Sequence, residues 1–397
     1  MTDPATARNV ARTPPRISLA LLVLIAFSGT LAMHIFVPAL PAAAEALATD
    51  TATIQLAVTV YIFGLAIGQL LYGPLSDAFG RRPAVLAGLA LYFVGSVACY
   101  FASNIETLLA VRFLQALGGA GGLALTRVIV ADTSKGAAAT RGIAILNMIL
   151  LVGPGTAPIF GAEISELFGW RTIFLLLSLM GISAIIFTIF RLPETGSPSG
   201  NFSLRKVGGD LVGLARNGRF LRVATGGAAG STACYGYFVS APFILHSDMG
   251  LSVQAVGYCV GSTLAAAAAG SMLTRSIVGK LPDRMLMLTF SMLGVLAGGI
   301  FLAGAIGHWL NPALVVGLSC FILFVAGALG PLTISNSLRD AGAQAASASG
   351  IYGSLQMMVG VLCSLVAGLF SDHAFGCGLI LFGAYAFCWL QFYLRRG

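Results

Sequence analysis

Residues 64–83 read Gly64-Leu65-Ala66-Ile67-Gly68-Gln69-Leu70-Leu71-Tyr72-Gly73-Pro74-Leu75-Ser76-Asp77-Ala78-Phe79-Gly80-Arg81-Arg82-Pro83. An apolar helix end runs here into a short charged turn. Gly64 and Gly68 share one helix face at i and i+4, the spacing that lets two helix backbones approach closely in a bilayer. Asp77, Arg81 and Arg82 each cost about 2.5–3.5 kcal/mol at a bilayer centre, so the turn belongs at a membrane surface. Two basic residues predict that this surface is the cytoplasmic one.

The rest of the chain carries the same message. Of its 397 residues, 57% are hydrophobic and only 9% charged, too little polar surface for a soluble protein of this length. The net charge of +8 does not form a patch: the basic residues are scattered singly between apolar stretches, which argues against nucleic-acid binding. Arg8, Arg12 and Arg16 before an apolar run from Ile17 have the charge layout of a signal peptide. The run continues to Val37, meets Pro38 and Pro41, and lacks a convincing small-residue cleavage site, so a retained first helix is expected. The seven cysteines show no C-x-x-C spacing and read as small packing residues.

Twelve runs are long enough to cross a bilayer at about 20 residues each: 17–38, 52–76, 83–102, 107–131, 140–162, 171–190, 220–245, 252–275, 284–306, 311–337, 344–370 and 375–394. With both termini cytoplasmic, the turns holding Arg81/Arg82, Lys135/Arg141, Arg275/Lys280/Arg284 and Arg339 all fall inside. Glu45, Asp50, Glu106, Glu163, Glu166, Asp248 and Asp372 fall outside, with Arg171 the one basic exception. The expected fold is therefore an all-α membrane protein of twelve transmembrane helices in two six-helix halves. Its divisions are 1–191 and 219–397, joined by a cytoplasmic linker over 192–218. Two readings of that linker stand: a short amphipathic helix on anionic headgroups, built on Arg205, Lys206, Arg216 and Arg219 around Val207, Leu211, Val212 and Leu214, or a plain connector. A second copy of the organising turn falls at 270–284, keeping only Gly279, Lys280 and Asp283-Arg284.

Several side chains stand out inside the spans. Arg112 heads Arg112-x-x-Gln115-x-x-Gly118 in the fourth; it is a functional candidate facing a cavity or partner, or it snorkels to the headgroups beside Glu106. Arg127, fifteen residues and about 22 Å further along, comes within reach of Asp77. The fifth span reads Gly153-Pro154-Gly155-Thr156-Ala157-Pro158-Ile159-Phe160-Gly161-Ala162. Its prolines remove backbone donors and kink the helix, and its glycines permit close packing. The small-residue face Leu264 to Gly270 of the eighth span is its expected partner. No acid lies in the middle of any span. That leaves His34, with an ordinary pKa near about 6.5, as the candidate central proton carrier; a neutral hydrogen-bonded His or a substrate contact are the competing readings.

The pattern Gly73-x-Leu75-x-Asp77-x-x-Gly80-Arg81-Arg82 resembles the signature loop between helices 2 and 3 of the major facilitator superfamily, with Ala78 where a basic residue is usual. Leu31-Ala-Met-His-Ile-Phe-Val-Pro-Ala-Leu-Pro41, Phe168-Gly-Trp-Arg-Thr-Ile-Phe174, Ser240-Ala-Pro-Phe-Ile244 and Ala345-Ala-Ser-Ala-Ser-Gly350 with Gln356 look like the Bcr/CflA and chloramphenicol-exporter group of drug:proton antiporters. Two departures are visible: His34 stands where that group carries an Asp, and Ala131-Asp132 stands for its Arg-Asp pair. The resemblance implies proton coupling through Arg112, here together with His34. It implies a gate of Asp77, Arg81, Arg82 and Arg127, and an antiporter motif holding Gly153, Pro154, Pro158 and Gly161. A cavity between halves then has Gln55, Tyr61, Gln115, Asn147, Tyr235, Tyr237, Asn336, Tyr352 and Gln356 as candidate lining.

The function expected on these grounds is export of small amphipathic organic molecules or drugs by proton antiport with alternating access. The alternative is an importer or facilitator of a small metabolite or metal chelate on the same fold. No catalytic constellation, cofactor or metal site is expected: the acids sit in loops, and His246, His308 and His373 are dispersed. The expected partners are substrate, protons and lipid, for a monomer in the inner membrane. A non-transporting receptor would need neither the kinked fifth span nor the deep Arg112.

Overall fold

The computed structural model describes residues 17–133, 156–196, 198, 200, 208–209, 212–214, 216–341 and 345–394. The first span is α1, Leu19–His34, followed by a 3-10 turn, Val37–Ala39, and the short α2, Leu40–Ala46. Pro38 and Pro41 stand second in these last two elements, within the first turn, where a missing N–H is tolerated. Then come α3, Thr51–Phe79, α4, Arg81–Tyr100, and α5, Ile105–Thr133. A helix over 156–168, α6, precedes α7, Thr172–Arg191. The second half holds α8, Gly218–Thr232, α9, Cys234–Pro242, α10, Val253–Ile277, and α11, Asp283–Ile306. It closes with α12, Pro312–Ala341, α13, Ala345–Gly368, and α14, His373–Tyr393. Among the described residues the sole β feature is an isolated bridge between Val278 and Leu281.

Ten described segments are long and apolar enough to cross a bilayer. The other two of the expected twelve are the fifth, described only over 156–168, and the seventh, which breaks at Ala233 between α8 and α9. Ser231 and Thr232 turn their hydroxyls back on the carbonyls of Gly227 and Ala228 there. Such back-bonding competes with the backbone ladder and bends helices. The seventh segment then continues past Ile244 as a π-helical turn, Phe243–Asp248, beyond the expected limit at 245. Asp50 caps α3: its carboxylate accepts the Thr53 N–H and hydroxyl, both at 2.8 Å, which holds its pKa below the ordinary carboxylate value.

Glycine decides how closely the helices approach. A Cβ at Gly64 would stand 2.7 Å from the Ala116 Cβ, and one at Gly95 would stand 2.7 Å from the Gln115 backbone. Thus α5 nests between α3 and α4, and the small face on residues 64–68 finds its partner within its own half. The eighth span also packs within its own half. Gly270 lies against the Phe324 carbonyl of α12, and Gly327 of α12 against the Ala267 carbonyl. Ala267 and Gly270 of the 264–270 face thus pack inside the second half, and most of the fifth span that this face was expected to meet lies outside the described residues. Gly161 faces the Ile35 carbonyl, and α6 meets α10 where Gly257 sits against Ala162 and the Pro158 carbonyl.

From the linker, Leu214 is buried in a small cluster with Phe220, Ala224, Ala348 and Tyr352, while Val212 is exposed. Leu211 and Val207, also assigned to the expected amphipathic stretch, lie outside the described residues.

Candidate functional site

Arg112 enters the protein interior because α5 carries it seven residues beyond its start at Ile105. It is fully buried, so it does not snorkel to headgroups. Nη1 donates to Gln115 Oε1 at 2.7 Å and to the Ala32 carbonyl at 3.3 Å, and Nε donates to the Ala57 carbonyl at 3.4 Å. The guanidinium lies 4.1 Å from the Tyr61 ring centroid, with Phe36 and Phe174 at 5.4 and 5.7 Å. Gln115 passes the chain on, donating to Ser96 Oγ at 2.8 Å, and Ser96 donates to the Tyr92 carbonyl. Nη2 has no hydrogen-bond partner among the described residues. A cation held by carbonyls, an amide and ring faces, with no carboxylate pair, keeps its charge unneutralised in a low-dielectric core.

His34 closes α1 and lies almost wholly buried. Its Nδ1–H donates to the Thr30 carbonyl at 2.9 Å, because a carbonyl can only accept; the Nε2 lone pair is thereby left as the acceptor. The ring meets Phe238 of α9 edge-on at 5.4 Å and 81°. That contact crosses from the first half to the second. Three more crossings accompany it. Gln55 Nε2 donates to the Val239 carbonyl at 3.2 Å. Thr59 and Ser364 join hydroxyl to hydroxyl, and Ser354 Oγ donates to the Ala66 carbonyl at 3.0 Å. The last three run from the Asp50 end of α3 to its middle. Toward the opposite face, a Cβ at Gly73, Gly330 or Gly350 would meet nothing within 4 Å. Among the described residues these four contacts join the halves toward the acidic face.

At the basic face Arg81 gathers the charges. Its Nη1 donates to Asp77 at 2.5 Å and to Ser76 Oγ at 2.6 Å, and its Nε to Asp132 at 3.1 Å. Glu194, just beyond α7, accepts the backbone N–H of Arg81 at 2.8 Å and of Arg82 at 3.1 Å, and so caps the start of α4. Arg82 Nη2 donates to the Ile189 carbonyl at 2.7 Å. The expected pairing of Asp77 with Arg127 concerns a side chain outside the described residues.

The other expected residues divide into groups. Gln356 donates to Ser231 Oγ at 2.8 Å, and the Tyr235 hydroxyl meets Met357 Sδ at 3.7 Å; these lie on α8, α9 and α13 of the second half. Tyr61, Gln115, Tyr237 and Tyr352 are fully buried inside their own halves. Tyr61 and Gln115 contact Arg112, and Tyr352 bonds Thr333 at 2.8 Å. Asn336 donates to Asp283 at 3.1 Å near the basic face. Asn147, Gly153 and Pro154 lie outside the described residues. Glu194, Phe238, Thr59 and Ser364 escaped the sequence reading. For Glu194 a signal existed, an acid directly behind Arg191 on a face otherwise basic.

Two six-span halves, joined on one side around a buried charge, define a polytopic membrane carrier. The chain belongs to the Major Facilitator Superfamily, whose model matches residues 22–364. An uncharacterized MFS-type transporter, YdgK, of Bacillus subtilis (strain 168) is 29% identical over 375 residues, covering 92% of each chain. A chloramphenicol resistance protein of Pseudomonas aeruginosa is 39% identical over 174 residues, covering 43% of this chain and 42% of its own. In fold, the chain is similar to the crystal structure of a D-xylose-proton symporter. The TM-score is 0.73 at 14% identity, over 94% of this chain and 96% of that one. The resemblance to the drug:proton antiporter group holds, and the family is one of transporters.

Proposed function

We propose that the protein exports small amphipathic organic molecules in exchange for protons, rocking residues 1–191 against 219–397 about the linker 192–218. The carrying observation is the place of His34: a titratable ring whose edge touches Phe238 of the other half and whose Nδ1 is already committed to Thr30. A proton added at Nε2 puts a charge on the seam itself. It must then be hydrated or paired, which favours opening the joined side. Arg112 sets the local field, and Asp77, Arg81, Arg82 and Arg127 form the gate on the basic face, which is the cytoplasmic face of an inner-membrane monomer. The relation to a chloramphenicol resistance protein supports export of an organic solute over import of a metabolite.

The test is a substrate screen in inverted membrane vesicles with and without an imposed proton gradient. Accumulation that needs the gradient and disappears in His34→Gln is the expected result. Gradient-driven transport that keeps its full pH profile in His34→Gln removes the imidazole from coupling, and accumulation only in right-side-out vesicles reverses the direction.

A further inference from the structure

The sequence contains fourteen carboxylates, and their positions follow one rule. Within the described helices none lies more than five residues from a helix end; Glu163, five residues before the end of α6 at 168, is the deepest, about 8 Å inside that end. Asp3 and Asp210 are outside the described residues, and the undescribed stretch 134–155 contains no acid. Arg112, by contrast, lies seven residues inside α5, forms no ion pair among the described residues, and keeps one guanidinium nitrogen without a partner. His34 adds a second nitrogen base at the seam. The fixed charge around the centre is therefore positive, with no carboxylate there to balance it.

We propose that the central site accepts neutral and anionic organic solutes and excludes permanent organic cations. This rests on the reading of a central organic-solute site given above. A quaternary ammonium entering the seam would lose its water and find no carboxylate in exchange. The ring faces of Tyr61, Phe36 and Phe174 already face the guanidinium of Arg112. An anion gains from the same unneutralised charge, and when His34 is protonated its ring can also donate to the solute. An uncharged amphiphile meets no penalty.

The experiment uses the full-length protein in detergent micelles, where no membrane potential acts on the probe. Equilibrium binding is measured for three radiolabelled forms of one aromatic scaffold of matched size, carrying a carboxylate, a neutral amide or a trimethylammonium group. The expected result is saturable binding of the carboxylate and the amide, with the trimethylammonium form at least about tenfold weaker. His34→Asp is expected to close that gap by strengthening the cation and weakening the carboxylate; should that variant not fold, the wild-type ranking decides alone. Trimethylammonium binding as tight as the amide in the wild type overturns the charge rule and leaves the organic-solute site standing. Loss of that cation binding in Glu163→Gln would then identify the acid responsible. If none of the three binds saturably, the organic-solute reading itself falls, and this inference with it.

Discussion

The two halves each turn a corner on glycine at the basic face, and they secure that corner differently. In the first half Gly80 has φ +102° and ψ 156°, a region open essentially to glycine alone. The Glu194 carboxylate covers it, while Arg81 reaches Asp77, Ser76 and Asp132. In the second half Gly279 has φ +82°, but nothing lies within 4 Å of where a Cβ would go. The ion pair beside it is Asp283 with Arg339 at 3.3 Å, with Asn336 donating to the same carboxylate at 3.1 Å, while Arg284 turns to the Tyr393 carbonyl. One corner is a closed network that ties α3, α4, α5 and the residues after α7 together. The other is a loose turn with one exposed ion pair. An internal repeat can thus keep its backbone corner while only one copy carries the lock, and it is the copy whose side chains bridge four segments that has something to lose on substitution.

The largest expected effect comes from Gly80→Ala set against Gly279→Ala. Both add a Cβ to a positive-φ residue, which costs about 1–2 kcal/mol. Only at Gly80 does the new atom also fall 2.6 Å from Glu194 Oε2, displacing the cap of α4. Gly80→Ala is expected to lower the apparent melting temperature in detergent more than Gly279→Ala and to lose most transport. Equal losses at the two positions would show that backbone strain alone matters and that the two corners are equivalent.

Glu194→Gln sharpens the same contrast at intermediate size. An amide can still accept one backbone N–H, but the charge facing the N-terminus of α4 is gone. A loss of about 1 kcal/mol is expected, read as a smaller drop in melting temperature than for Gly80→Ala. Transport should fall as Arg81 loosens. If Glu194→Gln matches wild type in both readouts, the carboxylate lies over the corner without holding it.

How much of this was legible from the sequence follows the range of each signal. The spans and the turn at 73–82 were readable because length, hydropathy and charge are local properties. The deep placement of Arg112 was readable as one of two readings for the same reason: an arginine seven residues into an apolar helix needs a partner or a route to the headgroups. What it binds was not, since the Ala32 and Ala57 carbonyls and the Tyr61 ring come from helices far away in sequence. Small-residue faces announce a close approach without naming every neighbour: Gly270 and Ala267 of the 264–270 face pack on α12, which no spacing along the chain states. Glu194 looks like any linker acid, because its partners Arg81 and Arg82 lie more than a hundred residues earlier. The break at Ala233 depends on where the hydroxyls of Ser231 and Thr232 turn, and composition does not determine that.

The smallest effect expected is at the loose corner itself. Arg339→Gln removes the ion pair with Asp283, in which the arginine side chain is 67% exposed. Exposed pairs contribute about 0–1 kcal/mol because water and salt screen them and ordering two side chains opposes the attraction. Asn336 remains to bond the Asp283 carboxylate, so no buried charge is left alone. The melting temperature should therefore stay within about 1–2 °C of wild type, insensitive to added salt, with transport retained. In Arg81→Gln the corresponding removal uncouples Asp77 and Asp132 at once, and Arg81 is only 15% exposed, so the loss should exceed that of Arg339→Gln at every salt concentration. If Arg339→Gln costs as much as Arg81→Gln, the second corner carries a lock of its own, and the asymmetry between the halves is one of side-chain appearance and not of energy.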